Sequence, residues 1–109
     1  MNNLLKVFLL GLACIPYAVK GEEVWSSETK IKILYPTSGS LIFMTDYRHN
    51  LSQCDNGTRF MLDTTAADYS VLASILIAAF MADKPIRFNF NLSQNPTCSP
   101  IVNRFMVFK

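Results

Sequence analysis

The segment Tyr69 to Phe88, YSVLASILIAAFMADKPIRF, limits the fold of this chain more than any other stretch. Its first part runs through apolar and small residues at the length of an ordinary globular helix. Pro85 stops it, because proline has no amide hydrogen with which to continue a helical ladder. Upstream, Thr65-Ala66-Ala67-Asp68 has capping-box spacing, with a hydroxyl placed to accept an orphan amide and a carboxylate placed to reach back. Asp68 also lies at the positive end of the helix dipole. A helix is therefore predicted over 66–82. At about 100° per residue, Tyr69, Leu72, Leu76 and Phe80 share one face, and Val71 and Ile75 lie opposite. Ser70, Ser74, Ala67 and Ala78 form a small-residue stripe between them. Directly afterwards PIRFNFN alternates Ile86, Phe88 and Phe90 with Arg87, Asn89 and Asn91, the period of a half-buried strand.

The remaining elements read as strands. TKIKILYP places Ile31, Ile33 and Tyr35 on one side of a strand ending at Pro36. TSGS is turn chemistry, with Gly39 free to take a positive backbone angle, and Leu41 to Tyr47 returns as a second strand. After the polar loop RHNLSQCDNGT, where Asn56-Gly57 marks a tight turn, Arg59 to Asp63 is a third strand. Pro85 to Asn91 is the fourth, LSQNPTCSP turns the chain, and Ile101 to Phe108 is the fifth. The predicted class is mainly β with one helix (α+β), in the order β-β-β-α-β-β. That order fits an OB-fold-like five-stranded barrel with the helix plugging one end. Closing the barrel would remove the edges that short strands otherwise expose.

The N-terminus bears on compartment. Residues 1–21 begin with Asn2, Asn3 and Lys6, pass through the apolar VFLLGLACIPYAV and end at Val19-Lys20-Gly21, the pattern of a secretory signal peptide. The apolar core is shorter than the ~20 residues of a membrane span. The expectation is a secreted or periplasmic protein with a single domain at 22–109. In the competing reading it is a lipoprotein modified at Cys14. Of the ten Lys and Arg residues, Lys6 and Lys20 lie in that leader, and the eight left match the eight Asp and Glu. A near-neutral chain without a basic cluster has no electrostatic footprint for nucleic acid.

Outside the leader only Cys54 and Cys98 remain, and in an oxidising compartment they are expected to pair with each other. A loop of that length constrains the unfolded chain by about 4 kcal/mol. Zinc is disfavoured because His49 is the single histidine and no ligand spacing recurs.

The predicted helix has almost no polar face, and three readings follow. A membrane span is disfavoured because the run is short and is bounded by Asp68 and by Asp83-Lys84. The helix could belong to a monomer with exposed aliphatic residues, which are common on ordinary surfaces. Or its second face, Val71, Ser74, Ile75 and Ala78, packs on another copy of the chain, with the small residues permitting close approach.

YSVLASILIAAFMADKPIRFNF, followed by a Cys-containing loop and an apolar strand, resembles small secreted bacterial proteins akin to the B subunits of subtilase-cytotoxin and pertussis-type toxins. The matching elements are Leu72, Leu76 and Ala79 on the helix, Lys84-Pro85 at the turn, Ile86-Arg87 opening the strand, Cys54 with Cys98, and Trp25 near the start. The specific part of the likeness covers about twenty residues. It implies an OB-fold assembled as a ring of five, a host-surface glycan as ligand, and a separate catalytic toxin subunit as partner.

No catalytic residues, metal site or cofactor site are predicted. A Ser-His-Asp arrangement would need His49 with Asp46 or Asp55, and a loop histidine in RHN reads more simply as a surface residue. No phosphate loop or paired acid and base stands out. The candidate binding residues are Tyr35, Thr37 and Ser38 at the first hairpin and Tyr47, Arg48, His49 and Asn50 at the next loop, since aromatic and adaptable polar groups suit glycan or protein recognition. The alternative is that Tyr35 and Tyr47 only pack at the rim of the barrel. Asn50, Asn56 and Asn91 open glycosylation-type triplets, which carry no meaning in a bacterial exported protein. Two functions remain: a non-enzymatic, toxin B-subunit-like glycan-binding oligomer (pentamer or dimer), or a periplasmic structural or inhibitory protein-interaction module without a sugar ligand.

Overall fold

The computed structural model describes residues 22–109, so the predicted leader and Cys14 lie outside the described residues. Seven strands and one α-helix follow in the order β1 (Glu23–Trp25), β2 (Thr29–Lys30), β3 (Ile33–Thr37), β4 (Ser40–Met44), β5 (Arg59–Leu62), α1 (Tyr69–Met81), β6 (Pro85–Asn91) and β7 (Ile101–Val107). They form one sheet ordered β1-β6-β7-β5-β4-β3, with β2 also paired to β6. Neighbours run antiparallel except β5 and β7, which are parallel. The described residues are mainly β with one α-helix, as their periodicities predict. No described helix is long and apolar enough to cross a membrane.

The expected five strands are seven, because the first is divided into β2 and β3 and because an unpredicted strand, β1, precedes it. β1 and β2 pair with β6, whereas β3 pairs with β4 at the opposite end of the sheet. The switch occurs at Lys32, whose N–H donates to the Met44 carbonyl at 2.8 Å although Ile33 is the residue opposite Met44. Two residues facing one is the mark of a β-bulge, which bends a strand and changes which side chains face inward. Ile31 is accordingly buried, while Ile33 and Tyr35 are exposed and Leu34 packs on the core. This corrects the alternation expected for Ile31, Ile33 and Tyr35. Among the described residues no strand pairing joins the ends of the sheet, so the hydrogen bonds describe an open sheet and not a closed five-stranded barrel. The second predicted strand also ends early, at Met44, where the Thr45 hydroxyl accepts the Tyr47 N–H at 3.0 Å and turns the chain.

The core lies between the helix and the inward face of the sheet. Phe43, Phe60, Leu62, Leu76, Ile86, Phe88 and Phe90 are all completely buried. Phe43 meets Phe88 edge to face at 5.2 Å, and Phe60 lies 4.9 Å from Phe88 and 5.1 Å from Phe90. Such aromatic pairs add about 0.5–1.5 kcal/mol each beyond area burial. Helix α1 closes this cluster with Leu76 and Ala79, flanked by half-buried Tyr69, Leu72, Ala73 and Phe80, the face its spacing predicts.

The helix begins at Tyr69, later than predicted, because the capping box does not form. The Thr65 hydroxyl and N–H both donate to Asp63 Oδ1, at 2.6 and 3.0 Å, and Asp68 makes no capping bond. Asp63 is a nearer acceptor, and it builds a turn of its own. Those two donors hold its carboxyl below the usual carboxylate range. On the outer face Val71, Ile75, Ile77 and Met81 are exposed, Met81 by 76%. Ser70, Ser74 and Ala78 are exposed beside them. The Ser74 hydroxyl donates back to the Ser70 carbonyl at 2.8 Å, which reduces what polarity this face offers.

Candidate binding site

The loop between β4 and β5 folds back on itself around one glycine. Gly57 takes φ +84°, and a Cβ there would lie 2.9 Å from the His49 carbonyl oxygen, so a side chain is excluded twice over. Asp55 and Asn56 before it also take left-handed angles, which Asp and Asn tolerate best after glycine. That turn brings the Gly57 carbonyl to the His49 N–H at 3.0 Å, and the Ser52 N–H reaches the His49 carbonyl at 3.1 Å. His49 Nδ1 accepts the Leu51 N–H at 3.1 Å. Its ring stands edge-on to Phe90, 4.9 Å away.

A second segment fixes the loop from the side. Gln53 N–H donates to the Thr97 carbonyl at 2.9 Å and Thr97 N–H to the Leu51 carbonyl at 3.0 Å. The Cys54–Cys98 disulfide lies beside them and confirms the pairing expected from compartment. Buried Ser52 donates its hydroxyl to the Arg59 carbonyl at 2.8 Å, tying the loop to β5. The Asp55–Arg59 ion pair, at 2.7 Å, closes the far side.

Above this frame lies an open depression of about 510 Å³ lined by Arg48, His49, Asn50, Ser52, Gln53, Asn56 and Gly57. Three predicted residues, Arg48, His49 and Asn50, are brought together there. Arg48 forms no ion pair among the described residues. Asn50, Gln53 and Asn56 contribute amides that can both donate and accept.

The other candidates sit elsewhere. Tyr47 turns inward, its ring 5.6 Å from Phe88 and 6.3 Å from both Phe60 and Phe90. It is the rim-packing residue of the alternative reading. Tyr35 is exposed on β3, where the Arg59 guanidinium lies over its ring at 5.8 Å. It touches the loop's frame and not the depression. Thr37 and Ser38 are exposed at the tip of the β3–β4 hairpin and do not line the depression. The sequence does not mark Gln53 or Asn56 as site residues. For Asn56 the Asn-Gly turn was the available signal, while Gln53 offered none.

Burial pushes the Tyr47 phenol above its ordinary value. The unfolded chain then releases this proton first, so stability falls as pH rises from about 10 toward the higher folded value. Tyr47→Phe is expected to lose less stability than the parent between about pH 9 and about pH 11, as read from urea midpoints. An identical alkaline loss in both proteins would show that Tyr47 does not titrate out of the core.

The groups a Ser-His-Asp arrangement would need are engaged otherwise. His49 Nδ1 holds the Leu51 amide, Asp55 holds Arg59, and Asp46 pairs with Lys32 at 3.3 Å. Among the described residues no three His, Cys, Asp or Glu side chains cluster as a metal site.

Sequence reading also missed a cluster on the outer face of β1, β6 and β7. Arg87 and Arg104 lie 5.9 and 5.7 Å from the Trp25 ring centre, and Glu23 pairs with Arg104 at 3.0 Å. Asn89 donates to Glu23 at 3.0 Å beneath them and is fully buried. These contacts tie the short edge strand β1 to its neighbours.

No protein-family model matches the chain, and no curated protein matches it at a significant level.

Proposed function

We propose that this chain is a secreted or periplasmic, non-enzymatic binding module whose loop 48–57 takes a glycan. One observation carries the reading: the depression is lined by three side-chain amides and an ion-pair-free arginine, on a loop fixed by a disulfide and by Gly57. Sugar hydroxyls both donate and accept, as the amides of Asn50, Gln53 and Asn56 do, and Arg48 adds donors for hydroxyl or carboxylate oxygens. A rigid loop lowers the ordering cost of binding.

The OB-type arrangement belongs to the same proposal. It is supported by the continuous path from Glu23 to Thr37, which pairs with β6 and then with β4, by the parallel β5–β7 pair, and by the helix between β5 and β6. The proposed assembly is a homo-oligomer, a pentamer or a dimer, joined through Val71, Ser74, Ile75 and Ala78, and it carries a separate catalytic toxin subunit. The exposed apolar face of α1 favours that contact.

The test is a glycan array, with sialylated and neutral sugars, combined with a native mass. Bound glycan and a mass above one chain are expected. Arg48→Ala is expected to weaken binding about tenfold or more, the value of a charged hydrogen bond. A blank array with a monomeric mass would end the glycan reading. The second reading, a protein-interaction module without a sugar, rests on the same exposed helix face. It predicts a partner recovered with the native protein from periplasmic extract and lost on Ile75→Glu.

A further inference from the structure

Among the contacts of the loop, the one made by His49 depends on protonation. Its Nδ1 accepts the N–H of Leu51, two residues on, so the imidazole plays the part that an asparagine or aspartate oxygen plays in an Asx turn. An imidazole nitrogen accepts only when it carries no proton, and this contact therefore assigns the tautomer with hydrogen on Nε2. The residue's backbone is engaged at the same time, through the Gly57 carbonyl and the Ser52 N–H. Three loop contacts thus converge on one titratable residue that also lines the depression.

We infer that His49 is a proton-sensitive latch on the loop at 48–57, closed when the imidazole is neutral and released by acid. Protonation puts a hydrogen on Nδ1, where it faces the Leu51 N–H, and a hydrogen bond becomes an opposition of two donors. The surroundings offer the cation little compensation. Arg48, adjacent and lining the same depression, is positive. Asp55 is held by Arg59 at 2.7 Å. Phe90 of β6 presents an aromatic ring, and the Tyr47 phenol beside it, like any phenol in this range, is neutral. The paired segment 91–100 contains no ionisable side chain apart from Cys98, which is in the disulfide.

The latch opens locally, because the disulfide and the Gln53 and Thr97 hydrogen bonds hold the rest of the loop. What it changes is the segment 48–51, which brings Arg48 and Asn50 to the depression. If the depression is the glycan site, as proposed above, ligand is held near neutral pH and released in acid. Only this consequence rests on that reading.

The test uses the oxidised protein and does not need a ligand. Nitrogen chemical shifts of the His49 ring report the tautomer, and hydrogen exchange of the Leu51 amide, corrected for its intrinsic pH dependence, reports the latch. Leu51 protection is expected to fall about fivefold to tenfold between about pH 8 and about pH 5, the value of one lost hydrogen bond, while core amides such as that of Phe88 stay protected. His49→Asn supplies an acceptor that does not titrate, and it should keep Leu51 protection level across the same range. Protection that is constant with pH in the parent protein overturns the inference, as does an Nδ1–H tautomer near pH 8, or an equal acid loss in His49→Asn. An array blank at neutral pH would remove the glycan site and leave the latch to be judged by exchange alone. Glycan bound equally at about pH 8 and about pH 5 would remove the release that the latch implies.

Discussion

Replacing Cys54 and Cys98 together by serine is expected to cost about 3 kcal/mol, the typical size of a native disulfide in a small domain. The bond closes a chain separation of 44 residues that contains β5, α1 and β6, so removing it frees about half of the described domain in the unfolded state. The cost is large beside the roughly 5–15 kcal/mol that holds an ordinary domain together. The loss should also appear at the depression. Without the bond, the loop and the segment at 97–98 are joined by the Gln53–Thr97 and Thr97–Leu51 hydrogen bonds and by Ser52. Urea unfolding checks the expectation, and the slope should steepen because an uncrosslinked chain exposes more surface. A loss under about 1 kcal/mol would mean that neighbouring contacts already supply the constraint.

Phe88→Ala is expected to cost about 3–5 kcal/mol. Phe88 is completely buried at the centre of the aromatic group, with Phe60 at 4.9 Å, Phe43 at 5.2 Å, Tyr47 at 5.6 Å and Phe90 at 6.2 Å. Truncation removes the ring and leaves a cavity walled by other rings, which are stiff and collapse poorly. Phe88→Leu keeps most of the volume and should cost about 1.5 kcal/mol or less. Comparable midpoints for the two variants in urea would show that the centre relaxes around the gap. The position also couples to the site, because Phe90, two residues on, supports His49.

Periodicity made the architecture legible wherever one face of an element is wet and the other dry. PIRFNFN turns Ile86, Phe88 and Phe90 inward as predicted, but its polar face is not wet, since Asn89 is fully buried beneath Glu23. The inward face of α1 follows from the spacing of Leu72, Leu76 and Phe80 in the same way. Where the sequence misled, a local hydrogen bond outweighed the pattern. Lys32 doubles up opposite Met44 and reverses the faces after Ile31. Asp63 takes both Thr65 donors and delays the helix. Strand β1 leaves no signal in the sequence because Glu23-Val24-Trp25 is too short to show a period, and β6 and the Trp25 contacts hold it in place.

At the site, Arg48, His49 and Asn50 were legible as a polar loop, and the structure adds that Gly57 turns them toward Gln53 and Asn56. Tyr47 sits beside them in sequence but belongs to the core. Nothing in its neighbours' identity distinguishes the two roles, since the difference lies in the turn made by Thr45.

The pairing of Val24 with Phe90 has a consequence for how the molecule is made. A ribosome delivers β1 long before β6 exists, and β5 must wait in the same way for β7. The β3–β4–β5 meander is the part of the sheet that can assemble as it emerges, because its partners are successive in the chain. At elongation rates of about 5–20 residues per second, most of the sheet stays unassembled for seconds. Such a nascent chain cannot complete its sheet until its final strand appears, because β7 alone joins β6 to β5.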